Sequence, residues 1–198
     1  MEIQMNDNSI VEMLETIFSN VNSWLNFAEA KNAALMAFNI AMLAVTWGST
    51  ENAGKNILFY GVNLAIVIST IIALKSFKPD KGKCKEETGV IKENDNLLFY
   101  EDIAKYSKES YLIALYKKYQ DTVKTEDELL KREIDYADEI TYNAKIIVQK
   151  YKCFKNAWYV DFIGLVGIAV LIGSLKCVKF QWIVFHRLLK NRLSNRRM

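Results

Sequence analysis

The fold of this chain depends on AWYVDFIGLVGIAVLIGSL, residues 157–175, which is apolar on every face of a helix except at Asp161. Water does not tolerate such a helix, but the stretch is about long enough to cross a bilayer. No proline or glycine occurs between Thr125 and Gly164, and Thr125 with Glu128 has the form of a capping box. We therefore predict one helix over 125–176, half in the cytosol and half in the membrane.

The cytosolic half of this helix carries one apolar stripe. Its members alternate at spacings of four and three residues, as one face of a helix requires: Leu130, Ile134, Ala137, Thr141, Ala144, Val148 and Tyr151. Near the N-terminus, residues 10–28 form a second amphipathic helix by the same criterion. Its polar face is acidic, which favours packing on the long helix over lying in the membrane interface.

Two further segments are predicted to form a transmembrane hairpin, AALMAFNIAMLAVTW (33–47) and ILFYGVNLAIVISTIIAL (57–74). The expected fold is an all-α membrane protein with about three transmembrane helices and a cytosolic helical segment between the second and third. In that segment we predict a short helix, a break, and a helix capped by Ser107. The predicted parts are an N-terminal amphipathic helix (1–31), the transmembrane hairpin (32–74), a linker (75–96), the cytosolic segment (97–156), the third transmembrane helix (157–177) and a basic tail (178–198).

Lysines on both sides of the middle segment place it in the cytoplasm, because basic residues are retained there. They are Lys75, Lys78, Lys81 and Lys83 after the second span and Lys150, Lys152 and Lys155 before the third. Three full spans would then leave the basic tail outside, against the same rule. Three explanations stay open: the third segment crosses incompletely, residues 180–185 turn back at the interface, or the tail is an exception.

Polar and small residues within the spans are candidate helix-interface or pore residues. The polar ones are Asn39, Asn63 and Asp161, and the small ones are Ala33, Ala37 and Ala41, spaced four apart. An unpaired polar group in lipid costs a few kcal/mol, so each is expected to bond across a helix interface or to line water. Contacts within one subunit and a pore or subunit interface both fit this pattern. The alanine stripe lets another helix approach closely.

The composition offers little material for catalysis. The chain has one histidine, His186, three widely separated cysteines and no glycine-rich phosphate loop. We expect no enzyme activity, no metal site and no cofactor. The formal charge is +3, and the tail from residue 178 contains no acid. Contact with anionic lipid or nucleic acid is one interpretation of that tail, and a basic flank that orients a membrane helix is the favoured one.

Two stretches carry a family resemblance. EAKNAALMAFN (29–39) resembles the opening motif of the Pycsar effector transmembrane family, and FYEDIAKYS (99–107), followed by Tyr111 and Leu112, is similar to its cytosolic motif. The order of two spans, a cytosolic helical segment and a basic approach to a last span is also similar. The resemblance covers about 26–175.

The resemblance implies an antiphage effector of the bacterial inner membrane. Its signal would be cyclic UMP or cyclic CMP from a partner nucleotide cyclase, and its response would be disruption of the membrane, with growth arrest or abortive infection. Membrane lipid and further copies of the chain are expected partners, because three spans are too few to enclose a channel. Direct DNA binding is not expected. Two alternatives remain: a pore-forming effector of a CRISPR, retron or other defence system triggered by an oligonucleotide or protein, and a passive membrane scaffold.

The two motifs also suggest functional residues. Lys105, Tyr106 and Lys108 are candidate ligand-binding residues, since they combine cations with a stacking face. Candidate coupling residues are Glu29, Lys31, Asn32 and Asp102. We expect Lys31 and Asn32 to meet Asp102 or Lys105, with simple anchoring of the loop by Asp102 and Lys105 as the alternative.

Overall fold

The structure is a computed structural model that describes residues 3–49, 57–78 and 89–195, with side-chain surroundings described within 9–48, 57–78 and 89–170 and at positions 173 and 181. Its helices are α1 (Ile3–Ser49), α2 (Ile57–Lys75), α3 (Tyr100–Ile103), α4 (Lys108–Tyr119) and α5 (Lys131–Asn195), with a 3-10 turn at Glu126–Glu128. No strand occurs in these ranges. The predicted all-α fold is therefore confirmed. The loop predicted after the first span and residues 79–88 of the linker lie outside the described residues.

The chain divides into two compact units. The first unit comprises residues 1–34 and 73–155, and the second comprises 35–72 and 156–198. Helices α1 and α5 contribute residues to both units and are continuous throughout, with 47 and 65 residues respectively. The predicted boundaries at 31/32 and 177/178 consequently fall inside helices.

The first unit has a core in which α1 packs against α5. Ile10, Leu14, Ile17 and Val21 of α1 are buried with Ala137, Ile140, Ala144 and Ile147 of α5, together with buried residues of α3 and α4. Each set follows the three- and four-residue spacing that places side chains on one helix face. The predicted packing of the N-terminal helix on the long helix is confirmed.

The start of α5 differs from the prediction. Thr125 and Glu128 do form a capping box, but it closes the 3-10 turn, and Leu129 is extended with φ −79° and ψ 135°. The helix begins only at Lys131. Glu133, which is fully buried, accepts a hydrogen bond from the backbone NH of Leu130 at 3.3 Å and from the Tyr116 hydroxyl at 2.6 Å. Its carboxylate thus satisfies a backbone donor that the helix start leaves unpaired.

The second unit carries its apolar side chains on the outside. Val62, Ile66 and Ile168 form a small buried cluster, whereas Leu64, Ile163, Val166 and many other apolar side chains are exposed. Within the described residues, two helices are long and apolar enough to cross a membrane, α2 and the part of α5 up to Val170. The predicted first span, 33–47, lies in α1 and is not among these two helices.

Candidate functional site

The motif 99–107 is held by a buried charge network centred on Asp95. One carboxylate oxygen of Asp95 accepts a hydrogen bond from Lys105 Nζ at 2.8 Å, and the other accepts from the backbone NH of Lys92 at 2.9 Å. Asp102 also binds Lys105 Nζ and accepts from the backbone NH of Asn96 at 2.8 Å. Asp95 is only 5% exposed, so its charge depends on these partners.

The network changes the proton affinities of its members. Burial by itself raises the pKa of Asp95, but the hydrogen bonds from Lys105 and Lys92 outweigh burial and hold that pKa below its ordinary value. Hydrogen bonds to Asp102 and Asp95 raise the pKa of Lys105 above its ordinary value. Burial, followed by the charge of Asp95, raises the pKa of the Tyr106 hydroxyl. Asp95 and Lys105 therefore stay ionised as a pair at neutral pH.

A cavity of about 650 Å³ lies beside this network. One wall is a face of α4 with spacings of three and four residues, formed by Ser110, Ile113, Ala114, Lys117 and Lys118. The opposite wall is the segment 91–97, and Tyr106 contributes to the lining. The Lys118 ammonium group donates to the Asp95 carbonyl oxygen at 2.6 Å and so joins the two walls.

The three predicted ligand-binding residues do not share this cavity. Tyr106 lines it. Lys105 lies next to it, with its ammonium group bound to Asp95 and Asp102. Lys108 instead forms an ion pair with Asp138 of α5, with Nζ and Oδ2 3.5 Å apart. Their role in ligand binding stays a prediction. Lys105 lies beside the cavity and is not part of its lining.

Glu29, Lys31 and Asn32, the residues of the coupling motif on α1, contact α5. Their contacts in the described part of the chain do not include the expected one with Asp102 or Lys105. Lys31 Nζ lies over the rings of Phe27, Tyr151 and Phe154, at 4.6, 5.0 and 5.6 Å from their centroids. Asp102 makes its bonds inside its own segment, because Lys105 and the Asn96 NH are its nearest charged and polar partners. The prediction of a direct contact was wrong.

Asn32 and Glu29 strengthen the same contact between α1 and α5. Asn32 is fully buried, and its Nδ2 donates to the carbonyl oxygens of Ala28 at 2.9 Å and Lys150 at 3.2 Å. Glu29 pairs with the Lys150 ammonium group at 3.2 Å. A hydrogen bond from another helix to a mid-helix carbonyl fixes the register of the two helices.

An aromatic cluster provides an indirect link between Lys31 and the cytosolic motif. Tyr151, which lies under Lys31, stacks on Tyr100 with ring centroids 5.4 Å apart and planes 15° apart. Trp24 of α1 packs edge-on against Tyr100 and Phe99 at 5.4 and 5.9 Å. The two motifs therefore contact each other through aromatic rings, in the stacked and edge-on arrangements that aromatic pairs prefer.

Within the second unit, three helices share a buried polar cluster. Asn39 (α1), Ser69 (α2) and Asp161 (α5) are each under 5% exposed. When the amide is oriented with its nitrogen toward Asp161, Asn39 donates to both carboxylate oxygens at 3.0 and 3.1 Å and accepts from the Ser69 hydroxyl at 3.1 Å. Two of the predicted polar residues are thus brought together.

The remaining predicted residues of the spans occupy other places. Asn63 accepts from the Thr46 hydroxyl at 2.9 Å and donates to the Phe59 carbonyl oxygen at 2.8 Å, a second polar contact between α1 and α2. Ala33, Ala37 and Ala41 are all exposed, on the face of α1 turned away from Asn39. Whether any of these residues lines a pore or a subunit interface stays a prediction.

Sequence reasoning missed Asp95, Ser69, Thr46 and the wall of α4. Ser69 and Thr46 escape notice because hydroxyl residues are common in membrane helices, where they bond their own backbone. Asp95 lies in a charged linker, and only its burial distinguishes it from its neighbours. The wall of α4 could have been found from residue spacing alone, because residues 110, 113, 114, 117 and 118 form one face of the helix beside its apolar stripe.

Comparison with known families agrees with the sequence motifs. A family model described as the Pycsar effector protein domain matches residues 13–175, which include both motifs, α2 and most of the described α5. No curated protein and no solved structure matches the chain. The match covers most of the sequence, and the structure adds helices of membrane-spanning length and composition. The chain therefore belongs to the Pycsar effector family and is an antiphage defence effector of a membrane.

Proposed function

We propose that this protein is an inner-membrane effector that is activated by cyclic UMP or cyclic CMP and then disrupts the membrane. The family implies a cyclic pyrimidine nucleotide made by a partner cyclase as the signal. The proposal assigns the chain no catalytic step: binding of the signal changes the conformation or assembly of the membrane helices. Arrest of growth before phage release would follow from loss of the membrane potential.

The observation that carries the proposal is the buried cluster of Asn39, Ser69 and Asp161 inside a unit whose surface is apolar. A carboxylate and an amide at such a place cost stability unless they have partners, and intramembrane ionisable groups commonly mark ion pathways. In the resting protomer the three helices supply those partners to one another. In an activated assembly, water between protomers would replace them.

Oligomerisation is the expected route to that activated state. One protomer has too few spans to enclose a channel, because each spanning helix must also cover its own polar groups. The exposed stripe of Ala33, Ala37 and Ala41 offers a face on which a helix of a second copy packs closely. The signal shifts this equilibrium only if it binds the activated state more tightly than the resting state.

The test is the membrane potential of cells that express the protein, followed with a voltage-sensitive dye, with and without a co-expressed uridylate or cytidylate cyclase. We expect depolarisation only with an active cyclase. A cyclase with its catalytic carboxylates replaced is the control, since it keeps the protein burden and removes the nucleotide.

Other outcomes would favour the alternatives. Depolarisation without any cyclase would indicate a pore triggered by something else, such as the oligonucleotide or protein signal of another defence system. An unchanged potential in all strains, with the protein confirmed in the membrane fraction, would favour a passive scaffold and contradict the proposal.

A further inference from the structure

We propose that the cyclic nucleotide binds in the 650 Å³ cavity between α4 and residues 91–97, with its base on the apolar part of the α4 wall and its phosphodiester at Lys117. The inference rests on the proposed function and assigns a site for its signal. It replaces Lys105 and Lys108 as direct contacts and keeps Tyr106.

The two faces of α4 make different contacts, one with the core of the first unit and one with the cavity. Tyr111, Leu112, Leu115 and Tyr116 are buried in the core of the first unit and fix the helix. Ile113 and Ala114 lie on the cavity side, are only partly buried, and are followed one turn later by Lys117 and Lys118. An apolar surface that ends in a cation suits a ligand with a planar ring at one end and an anionic group at the other.

The charges around the cavity favour a single negative charge. Lys105 pairs with both Asp95 and Asp102, so this group of three residues keeps one net negative charge beside the cavity. Of the other charged lining residues, Lys92, Lys117 and Lys118 outnumber Glu93. Lys118 is bound to the Asp95 carbonyl oxygen, which leaves the exposed side chains of Lys92 and Lys117 as cations for a phosphodiester. Of these two, Lys117 lies on α4, one turn beyond the apolar wall of Ile113 and Ala114.

The lining residues also distinguish this cavity from another in the first unit. Small-ligand sites are mostly apolar cavities of about 300–1,000 Å³ with a few polar groups. The other cavity has about 390 Å³ and is lined in part by Lys75, Ser76 and Lys150. There the Lys150 ammonium group already binds the Ser76 carbonyl oxygen at 2.7 Å and Glu29 at 3.2 Å, and the C-terminal end of α2 disfavours an anion.

The test measures binding of cyclic UMP and cyclic CMP to the purified full chain in lipid nanodiscs by equilibrium dialysis. Ala114→Trp fills the apolar wall, and Lys117→Gln removes the charge and keeps the length of the side chain. Lys108→Gln is the matched control, since it makes the same change on the same helix outside the cavity. We expect the dissociation constant to rise about tenfold or more for A114W and K117Q, and to stay within about twofold of wild type for K108Q.

The readouts separate failure of the site from failure of the function. If A114W and K117Q bind like wild type, or if K108Q loses binding as they do, the site is wrong, while cyclase-dependent depolarisation by wild type still upholds the proposed function. If wild type binds neither nucleotide and cells keep their potential with an active cyclase, both proposals fail. Lys117 is exposed, so K117Q tests the site even if A114W is misfolded.

Discussion

Asp161 is the residue whose environment most restricts how the membrane helices can rearrange. It is 4% exposed; the amide of Asn39 on α1 donates to both of its oxygens, and the Ser69 hydroxyl on α2 donates to the oxygen of that amide. A buried charge that loses one donor keeps its desolvation cost, so the cluster either stays complete or opens to water. Such an all-or-none arrangement suits a switch.

The cluster predicts the effect of Asn39→Leu. Leucine has a similar size but no donor, so the Asp161 carboxylate loses two hydrogen bonds, and we expect the unit to lose about 1–3 kcal/mol of stability. Unfolding in nanodiscs, followed by circular dichroism, measures this loss. Ile40→Leu, a neighbour that is 63% exposed, is the control and should change little. Equal stability of N39L and wild type would show that the amide does not support the carboxylate.

The pair of Asp95 and Lys105 predicts a pH dependence. Because the pKa of Asp95 is lowered on folding, its contribution is present above its ordinary value of 3.8 and is lost as the pH falls through the folded value. The pKa of Lys105 is raised, so its contribution is present below the ordinary value of 10.5 and is lost above it. The pair stabilises the fold between these limits.

We therefore expect Lys105→Gln to lower stability by about 1–3 kcal/mol at pH 7, and by progressively less as the pH falls below the ordinary pKa of Asp95. Melting of both proteins over a pH series measures the difference. Lys108→Gln, which breaks an exposed ion pair, should cost no more than about 0.5 kcal/mol. A difference between K105Q and wild type that persists unchanged at pH 3 would contradict the linkage.

At the level of the elements, α5 packs closely against α2 at Gly167. A Cβ at Gly167 would lie 2.6 Å from Cγ2 of Val62, which is itself buried, whereas one at Gly164 would make an ordinary contact with Ile66 at 3.7 Å. The absence of a side chain at Gly167 therefore sets how near the two helices come, as small residues do in membrane helix pairs.

Gly167→Ala should consequently separate or distort this helix pair and lower stability by about 1–3 kcal/mol, the usual cost of overpacking. The double variant Gly167→Ala with Val62→Ala should recover much of the loss, because it returns the space. Gly173→Ala is the control on the same helix, where a Cβ meets nothing within 4 Å. Denaturant titration in detergent micelles measures all three, and the absence of rescue by V62A would show that the two residues are not in contact.

The elements also show what the sequence could and could not specify. Helical periodicity located α4 with its Ser107 cap, α5 and the amphipathic part of α1, because each has one apolar face. It placed the start of α5 too early, at Thr125, since the capping box is equally satisfied by a 3-10 turn. It could not foresee that Lys31 lies on Tyr151, because nothing local tells which of several distant helices an exposed cation will meet.

At the level of the whole molecule, the continuity of α5 narrows the topology. The helix extends unbroken to Asn195, so the explanation in which residues 180–185 turn back at the membrane interface is wrong. Incomplete crossing and an exceptional outside tail are the explanations left. Both explanations start from a cytoplasmic middle segment, which its flanking lysines predict.

Site-directed labelling tests that placement. In a chain whose three cysteines are replaced by serine, Glu93→Cys, an exposed position, should react with a membrane-impermeant maleimide in inverted vesicles and not in intact spheroplasts. Ser194→Cys, near the end of α5, distinguishes the two remaining explanations by the side from which it reacts. Labelling of E93C from the outside would overturn the cytoplasmic assignment.

The packing of α1 on α5 also has a consequence for synthesis. Glu15 and Arg132, whose side chains meet at 3.0 Å, are 117 residues apart in the sequence. At roughly 5–20 residues per second, a ribosome needs on the order of 6–25 s to make that interval. For this time the apolar stripe of α1 is outside the ribosome without its partner. The nascent chain therefore needs a temporary cover, and the nearby bilayer surface or a chaperone must supply it before the effector can reach its resting form.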